Sequence, residues 1–151
     1  MELAVENLRR QSIPVQKISV ACAFHSPVVA AASGALASYL ESLEIGVAAY
    51  PVWSNTFATP YPAAPSEIRA WMADHIARPV RFACEIEALH DAGATVFVEA
   101  GPGRVLSKLI GQILSGKEHF AVPCDPDGES SLSGFLTALA QLAALGVSLD
   151  V

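Results

Sequence analysis

A histidine in the run CAFHSP, residues 22 to 27, is the side chain whose placement best suits chemistry. His25 follows an apolar segment predicted to be a strand. Ser26 and Pro27 then predict a helix start, with a hydroxyl N-cap and a proline at the first helical position. A general base must keep its ring aimed at a nucleophile, and backbone elements on both sides would hold His25 in that way. The alternative is a helix-flanking histidine with no chemical role, and the run alone does not decide between them.

The spacing of apolar residues predicts the elements that would position this histidine. The first half indicates helix, strand, helix and strand, which favours a small α+β sandwich. The second half indicates helix, strand, helix, strand and helix, which implies parallel strands covered by helices. The predicted segments are helices at 3–11 and 28–43, a helix capped by Ser66 and ended by Pro79, a helix through Phe82 to Leu89 that stops at Gly93, a helix through Val105 to Ile113, a helix at about 132–145, strands at 15–23, 48–54, 95–100 and 119–124, and a proline-rich loop at 55–65.

The composition indicates one ordinary domain with an excess of acidic side chains. The 151 residues are 52% hydrophobic and carry 9 basic against 15 acidic side chains, which gives a formal net charge of −6. The scattered basic residues disfavour nucleic acid as a partner. No apolar run approaches the roughly 18 residues that a membrane span requires. Residues 1–12 lack the apolar stretch of a signal peptide, so we expect a cytoplasmic protein with no membrane partner.

Neither the cysteines nor the histidines are spaced for a metal site. Cys22, Cys84 and Cys124 are odd in number and far apart, with no CxxC, and we expect them to be buried reduced thiols. None of the four histidines has a histidine partner four residues away, as a helical metal site would need, so no metal is predicted. His75 lies on the apolar stripe of its predicted helix, which indicates a core or boundary position.

The glycine-containing turn GPG at 101–103 lies between a predicted strand and a predicted helix, where phosphate-binding loops occur. It lacks the GxGxxG spacing, and no Lys-Ser/Thr pair follows it. We therefore expect a tight strand-to-helix turn. Glu99, at the end of the strand, would cap or pair locally, and the sequence leaves its role open.

Four motifs occur in one order along the chain: AFHSP at 23–27, PVWSNT at 51–56, RPVRF at 78–82 and VFVEAGPG at 96–103. This series resembles the C-terminal half of the malonyl-CoA:acyl carrier protein transacylase family, and particularly the acyltransferase domains of modular and iterative polyketide synthases. The resemblance covers essentially the whole chain, including the terminal helix.

The resemblance implies an α/β fold made of two parts, with the active site in the cleft between them. These parts are an α/β-hydrolase-like acyltransferase core and an incomplete ferredoxin-like α+β subdomain. On this basis we expect a partial ferredoxin-like subdomain at 1–55, the C-terminal part of the large subdomain at 56–128 and a post-acyltransferase linker helix at 129–151.

The resemblance also implies a two-step covalent exchange. In the family, a serine in a GHSxG elbow attacks the thioester of an acyl-CoA, and a histidine takes the serine proton. The position that matches this histidine is His25, which would act first as base and then as acid. The acyl group then passes to the phosphopantetheine thiol of an acyl carrier protein, as in ping-pong kinetics. Malonyl-CoA and the phosphopantetheine of the carrier protein are substrates, and no bound cofactor is expected.

Asn55 is the second residue that the resemblance singles out. In the family, the matching position lies close to the histidine, where a main-chain carbonyl accepts the ring Nδ1–H and fixes the tautomer. The alternative is a turn asparagine at the start of a proline-rich loop. Either interpretation predicts a loop location.

Phe24 carries a substrate prediction. In polyketide acyltransferases, the four residues that end at the histidine correlate with the extender unit: His-Ala-Phe-His resembles malonyl-selecting domains, and Tyr-Ala-Ser-His resembles methylmalonyl-selecting ones. The matching residues here are CAFH at 22–25, so Phe24 and Cys22 are candidate substrate-binding residues. Phe24 would crowd an α-methyl branch. Rejecting one methyl group in this way contributes about 1–3 kcal/mol to the discrimination between the two extender units. The alternative is that Phe24 belongs to the core.

The sequence departs from the family in one respect that matters for activity. It contains no GxSxG elbow, and the family's oxyanion-hole glutamine and carboxylate-binding arginine match positions upstream of Met1. Arg69, Arg78, Arg81 and Arg104 fall elsewhere in the pattern. We therefore expect a fragment that is inactive alone, with the missing N-terminal half and neighbouring synthase domains as partners. An open sheet edge would favour self-association.

Two other functions remain as alternatives. The first is a non-catalytic module with the shape of an acyltransferase, which would dock a carrier protein or a neighbouring domain. The second is an independent hydrolase that uses Ser26 and His25. A residue seldom presents its hydroxyl to the ring of its immediate neighbour, and the N-cap role already accounts for Ser26, so this alternative is disfavoured.

Overall fold

The computed structural model describes residues 2–15, 20, 22–128 and 132–150. The elements among these residues are α1 Glu2–Arg10, a 3-10 helix Pro27–Val29, α2 Ala32–Glu41, β1 Trp53–Ser54, β2 Thr59–Pro60, α3 Pro65–His75, α4 Phe82–Asp91, β3 Val96–Pro102, α5 Val105–Ile113, β4 Phe120–Asp125 and α6 Leu132–Ala144. None of the described helices combines the length and apolar composition needed to cross a bilayer.

The chain divides into two compact units. The N-terminal unit consists of Met1–Glu44 and Arg69–Pro79, and the C-terminal unit consists of Ile45–Ile68 and Val80–Val151. These divisions differ from the boundaries 1–55, 56–128 and 129–151 that the resemblance implies for this chain, and those boundaries stay a prediction.

The helices of the N-terminal unit follow the sequence prediction with one correction. α1 ends with Arg9 and Arg10, where cations suit the helix dipole. Ser26 caps a helix and Pro27 occupies its first position, as predicted, but this helix is a three-residue 3-10 turn rather than the start of one helix over 28–43. The β-branched Val28 and Val29 are poor helix formers, and α2 begins only after them.

The carboxyl end of α2 is held by an arginine that the sequence left without a role. Arg69 donates from Nε to the carbonyl oxygen of Leu40 at 2.9 Å and from Nη2 to that of Leu43 at 2.8 Å. Leu40 is 3% exposed. The last carbonyls of a helix have no intrahelical partner, so the Arg69 guanidinium satisfies them and places a cation at the negative end of the dipole.

The strand predicted at 15–23 is confirmed nowhere in the described residues. Positions 16–19 and 21 lie outside them, and Val15, Val20, Cys22 and Ala23 are not in a strand. In α3, Met72 is 40% exposed and Ala73 is 7% exposed, so Ala73 is the buried residue of this helix.

The first strands of the C-terminal unit form a short hairpin. β1 pairs antiparallel with β2 through Trp53 with Pro60 and Ser54 with Thr59. The strand predicted at 48–54 is therefore reduced to two residues, and the predicted loop at 55–65 contains β2. Ala58 turns the chain with a φ of 55°, and its N–H donates to the Ser54 carbonyl at 2.7 Å.

The parallel sheet predicted for the second half is confirmed. β3 and β4 pair in parallel, from Val96 with Phe120 to Glu99 with Pro123. One apolar cluster contains Ile86, Ile110 and Leu114 with Phe97 and Ala121 packed against it, and the other contains Val122, Ala138 and Leu142 with Val96 packed against it. Because neighbouring residues of a strand point to opposite faces, the two clusters cover the two faces of the sheet.

The terminal helix belongs to this packed core. Ala138 and Leu142 of α6 lie against Val122 of β4. The segment that the resemblance assigned to a linker therefore packs within the C-terminal unit.

The predicted burial of the thiols is wrong: Cys84 on α4 is exposed, and Cys22 and Cys124 are only partly buried.

Candidate active site

His25 has an unusual backbone that the end of α3 supports. Its φ is 56°, in the left-handed region that residues other than glycine seldom adopt. The His25 N–H donates to the carbonyl of Ile76 at 3.1 Å, and the preceding Phe24 N–H donates to Cys22 O at 3.1 Å. This conformation is strained and persists only where the surrounding structure maintains it, and residues of this kind cluster at functional sites. The turn therefore places His25 against the carboxyl end of α3.

The ring of His25 has the arrangement of a general base. Its Nδ1 lies 3.0 Å from the carbonyl oxygen of His75. A carbonyl only accepts hydrogen bonds, so Nδ1 must carry the proton, and Nε2 of the neutral ring is the nitrogen with a free lone pair. No hydrogen bond among the described residues uses Nε2. His25 can therefore take a proton at Nε2 while Nδ1 stays fixed.

The carbonyl beside Nδ1 belongs to His75, whereas the resemblance pointed to Asn55. Asn55 lies in the C-terminal unit, and its carbonyl accepts the Arg81 N–H at 2.6 Å. The role of Asn55 toward His25 stays a prediction. Sequence reasoning missed His75 because a main-chain carbonyl has no residue type. The available signal was the helix end just before Pro79, where carbonyls lack intrahelical partners.

His75 also contacts His25 with its side chain. The two ring centroids lie 4.9 Å apart, with the planes tilted by 51°. Burial, and then the positive charge of His25 when that residue is protonated, lower the pKa of His75 below its ordinary value of 6.5. His75 is therefore neutral at neutral pH, and its position is the boundary position that the sequence predicted.

The hydroxyl of Ser26 is engaged in local structure. Ser26 Oγ donates to the Ala23 carbonyl at 2.6 Å and accepts the Val28 N–H at 3.3 Å. The predicted capping role is confirmed. These two hydrogen bonds direct the hydroxyl to the main chain, which counts against a nucleophile at this position.

Phe24 and Cys22 flank the candidate base on the same turn. The Phe24 ring is 56% exposed, so within the described residues it is not part of the core. Cys22 is partly buried and has a free thiol. An exposed aromatic ring next to the base is available to a substrate, and the substrate-binding roles of both residues stay predictions.

Glu99 caps α5, which answers the question that the sequence left open. Its carboxylate accepts the N–H of Leu106 at 3.0 Å, and both the N–H and the hydroxyl of Ser107 at 2.8 and 2.6 Å. Burial alone would raise the pKa of Glu99, but these hydrogen bonds outweigh it and lower the pKa below its ordinary value. The helix end next to the GPG turn therefore already holds an anion, as expected for a structural turn.

The curated proteins and the solved structures that are similar to this chain include malonyl transacylases and polyketide synthase acyltransferase domains. No family model matches the chain. The malonyl CoA-acyl carrier protein transacylase of Bacillus subtilis is 34% identical over 126 residues, which cover 83% of this chain and 38% of that protein. The acyltransferase domain from the second module of the salinomycin polyketide synthase superposes with a TM-score of 0.84 at 32% identity, covering 98% of this chain and 35% of that one.

A third match comes from a complex. The structure of a type II polyketide synthase acyl-carrier protein bound to its malonyl-transacylase gives a TM-score of 0.72 at 27% identity, covering 82% of this chain and 38% of the matched chain. In these three comparisons the present chain spans between 35% and 38% of the relative's length.

Proposed function

Since the chain is homologous to malonyl-CoA–acyl carrier protein transacylases and polyketide synthase acyltransferase domains, of which it represents a part, we propose that it supplies the catalytic histidine of an acyltransferase. The reaction transfers a malonyl unit from CoA to the phosphopantetheine thiol of an acyl carrier protein. The complex of a homologous transacylase with its carrier protein supports this partner. The two substrates carry the reacting groups, and the proposal includes no bound cofactor or metal.

The observation that carries the proposal is the hydrogen bond between His25 Nδ1 and the His75 carbonyl, which leaves Nε2 as the base. In the first half-reaction, Nε2 takes the proton of a serine hydroxyl while the serine oxygen attacks the thioester carbon of malonyl-CoA. The carbon–sulfur bond breaks, and the imidazolium gives the proton to the departing CoA sulfur. The His75 carbonyl keeps Nδ1 fixed in both steps.

The second half-reaction repeats the same proton movements with a different thiol. Nε2 takes the proton of the phosphopantetheine thiol, and the thiol sulfur attacks the carbonyl carbon of the malonyl-serine ester. The serine oxygen leaves and receives the proton from the imidazolium, which regenerates the free serine and the neutral ring.

The nucleophilic serine is assigned to the remainder of the domain. No serine of this sequence stands in a GxSxG elbow, and the chain spans 35% of the salinomycin acyltransferase chain. The proposal therefore makes the N-terminal part of the domain an obligate partner and neighbouring synthase domains further partners. The 151 residues alone would not form an acyl-enzyme.

The first step of the test is to translate, in frame, the source DNA upstream of the Met1 codon. An in-frame GHSxG with a downstream arginine would identify the intact parent protein. In that parent, His25→Asn should slow malonyl transfer to the carrier protein by about 10²- to 10⁴-fold, the usual contribution of a general base. Asparagine suits the test because it tolerates the positive φ of His25.

The matched control is His119→Asn, because His119 belongs to the C-terminal unit and its Nδ1 lies 2.9 Å from the carbonyl oxygen of Lys117. It should leave the transfer rate unchanged. A stop codon with no serine elbow nearby, or full activity of the His25→Asn parent, would contradict the catalytic proposal. Carrier-protein binding that survives without transfer would then favour the docking module.

A further inference from the structure

His25 is held at the end of α3 by three separate contacts, two of which come from one residue. The His75 carbonyl accepts Nδ1–H at 3.0 Å, and the Ile76 carbonyl accepts the backbone N–H at 3.1 Å. The third contact is the His75 ring itself, 4.9 Å from the His25 ring between centroids and tilted by 51°. Only this ring contact depends on the side chain at position 75.

A single hydrogen bond to a carbonyl does not fix an imidazole ring completely. The ring can still turn about its Cβ–Cγ bond, because this torsion is broad in histidine. A 180° rotation about this bond moves Nδ1 away from the His75 carbonyl and places the ring carbon Cδ2 there. The His75 ring lies beside the His25 ring, with 4.9 Å between the centroids, so we expect it to hinder this rotation. The side chain at position 75 therefore adds an orientational constraint to the one that its own carbonyl supplies.

The charges around the pair favour a neutral His75. The charged groups nearest to His75 along the chain are Asp74 on α3 and Arg78 just beyond its end, which are paired with each other. The His25 turn brings the polar groups of Cys22 and Ser26, and the Ser26 hydroxyl is bound to main-chain atoms. His75 thus meets no unpaired anion among these residues, and burial disfavours its charged form.

We propose that the His75 side chain is a positioning residue for the general base, which holds the His25 ring with Nδ1–H on the carbonyl and Nε2 available to the substrate. The inference rests on the proposed function for its role in catalysis. The geometry on which it depends can be measured in the isolated chain without any activity.

The experiment compares imidazole tautomers by long-range ¹H–¹⁵N nuclear magnetic resonance in ¹⁵N-labelled chain. Wild-type His25 should be mainly the Nδ1–H tautomer when neutral. His75→Ala keeps the carbonyl and removes the ring, and should convert most of His25 to the Nε2–H form that free histidine prefers. His75→Phe keeps an aromatic ring of similar size and should retain the Nδ1–H form. His119→Ala is the matched control and should change nothing at His25.

A second measurement keeps the test decisive if His75→Ala does not fold. In His25→Asn, the pKa of His75 should rise toward its ordinary value, because the charge of His25 is gone while burial remains. An unchanged His75 titration would overturn the contact between the rings. An unchanged His25 tautomer in a folded His75→Ala, or its loss in His75→Phe as well, would overturn the positioning role.

The intact parent separates this inference from the proposed function. His75→Ala should lower kcat by about 10- to 100-fold with little change in KM, and His75→Phe should recover most of that loss. If His25→Asn leaves transfer intact, the proposed function fails whatever the tautomers show. If His25→Asn abolishes transfer and His75→Ala changes neither kcat nor the tautomer, only the present inference fails.

Discussion

At the scale of single residues, two main-chain carbonyls set the backbone and the ring of His25. Holding a residue other than glycine at positive φ costs about 1–3 kcal/mol, so the hydrogen bonds to His75 and Ile76 must maintain it. Neither acceptor depends on a side chain. Substitutions at 75 and 76 are therefore expected to leave both carbonyls in place as acceptors as long as the end of α3 keeps its course, whereas the orientation of the ring toward the His75 carbonyl also depends on the side chain at 75.

The exposed ring of Phe24 leads to a specificity prediction. In the intact parent, Phe24→Ser should raise kcat/KM for methylmalonyl-CoA relative to malonyl-CoA by about 10- to 200-fold, because a small side chain no longer crowds the α-methyl group. The measurement is a competition between the two CoA thioesters. Val28→Ala, at an exposed residue of the neighbouring 3-10 helix, is the control and should leave the ratio unchanged. An unchanged ratio in Phe24→Ser would contradict the substrate-gate role.

Glu85 leads to a prediction about stability and pH. It is 9% exposed on α4, and burial raises the pKa of its carboxyl above the ordinary 4.5. A raised pKa in the folded chain means that the folded state holds its proton longer than the unfolded state. The contribution of Glu85 is therefore most favourable below pH 4.5 and is lost as pH rises through the folded pKa.

Glu85→Gln should consequently raise the urea midpoint of unfolding at pH 7.5, and the gain should vanish near pH 4. The matched control is Glu87→Gln, an exposed position on the same helix, which should show neither effect. A lower midpoint for Glu85→Gln at pH 7.5 would mean that the ionised carboxylate stabilises the fold.

At the scale of secondary-structure elements, helix ends are completed by side chains distant in sequence. Arg69 binds the carbonyls at the end of α2, and Glu99 binds the N–H groups at the start of α5. The cation and the anion each match the sign of the helix end that they meet. Helix boundaries in this chain therefore depend on tertiary contacts as well as on local sequence.

Arg69→Gln should destabilise the chain by about 2 kcal/mol or more, because hydrogen bonds from a charged donor contribute about 1.5–3 kcal/mol each. Arg69→Lys should recover part of this loss, since an ammonium reaches one carbonyl but lacks the planar fork. Urea unfolding followed by circular dichroism gives the comparison. The control is Arg10→Gln, whose only described ion pair is an exposed contact with Glu6. Equal effects at the two arginines would contradict the capping role.

Local patterns predicted the elements that depend on nearby residues. The helices through Phe82 and Val105 and the parallel pair β3 and β4 were predicted because each has a clear apolar period and glycine boundaries. The β1–β2 hairpin and the His75 carbonyl were missed. Both depend on main-chain hydrogen bonds, which carry no residue-type signal.

At the scale of the whole molecule, the parallel sheet is small for its type. Parallel strands are normally buried on both faces, yet Val98 of β3 is 49% exposed and Phe120 of β4 is 45% exposed. In the salinomycin acyltransferase, 35% of the chain corresponds to the present one. Under the proposed function, the rest of the acyltransferase domain would cover these side chains.

The isolated 151-residue chain should therefore self-associate, which light scattering over a concentration series would detect. Val98→Lys should reduce the association, because a charge on a strand discourages pairing with a second chain. Lys108→Gln, on α5, is a control that leaves the strands unchanged. A monomer at all concentrations would contradict this prediction.

The hydrogen bond from His25 to His75 joins residues fifty positions apart in the chain. Closing a loop of that length costs chain entropy before the contact is gained, so we expect this contact to form later in folding than the local turns and helices. Before this contact forms, no hydrogen bond to the His75 carbonyl holds the His25 ring, and the ring exchanges between its two neutral tautomers. Under the proposed function, the general base would therefore acquire its fixed tautomer only in this late step, and partially folded chains would lack it.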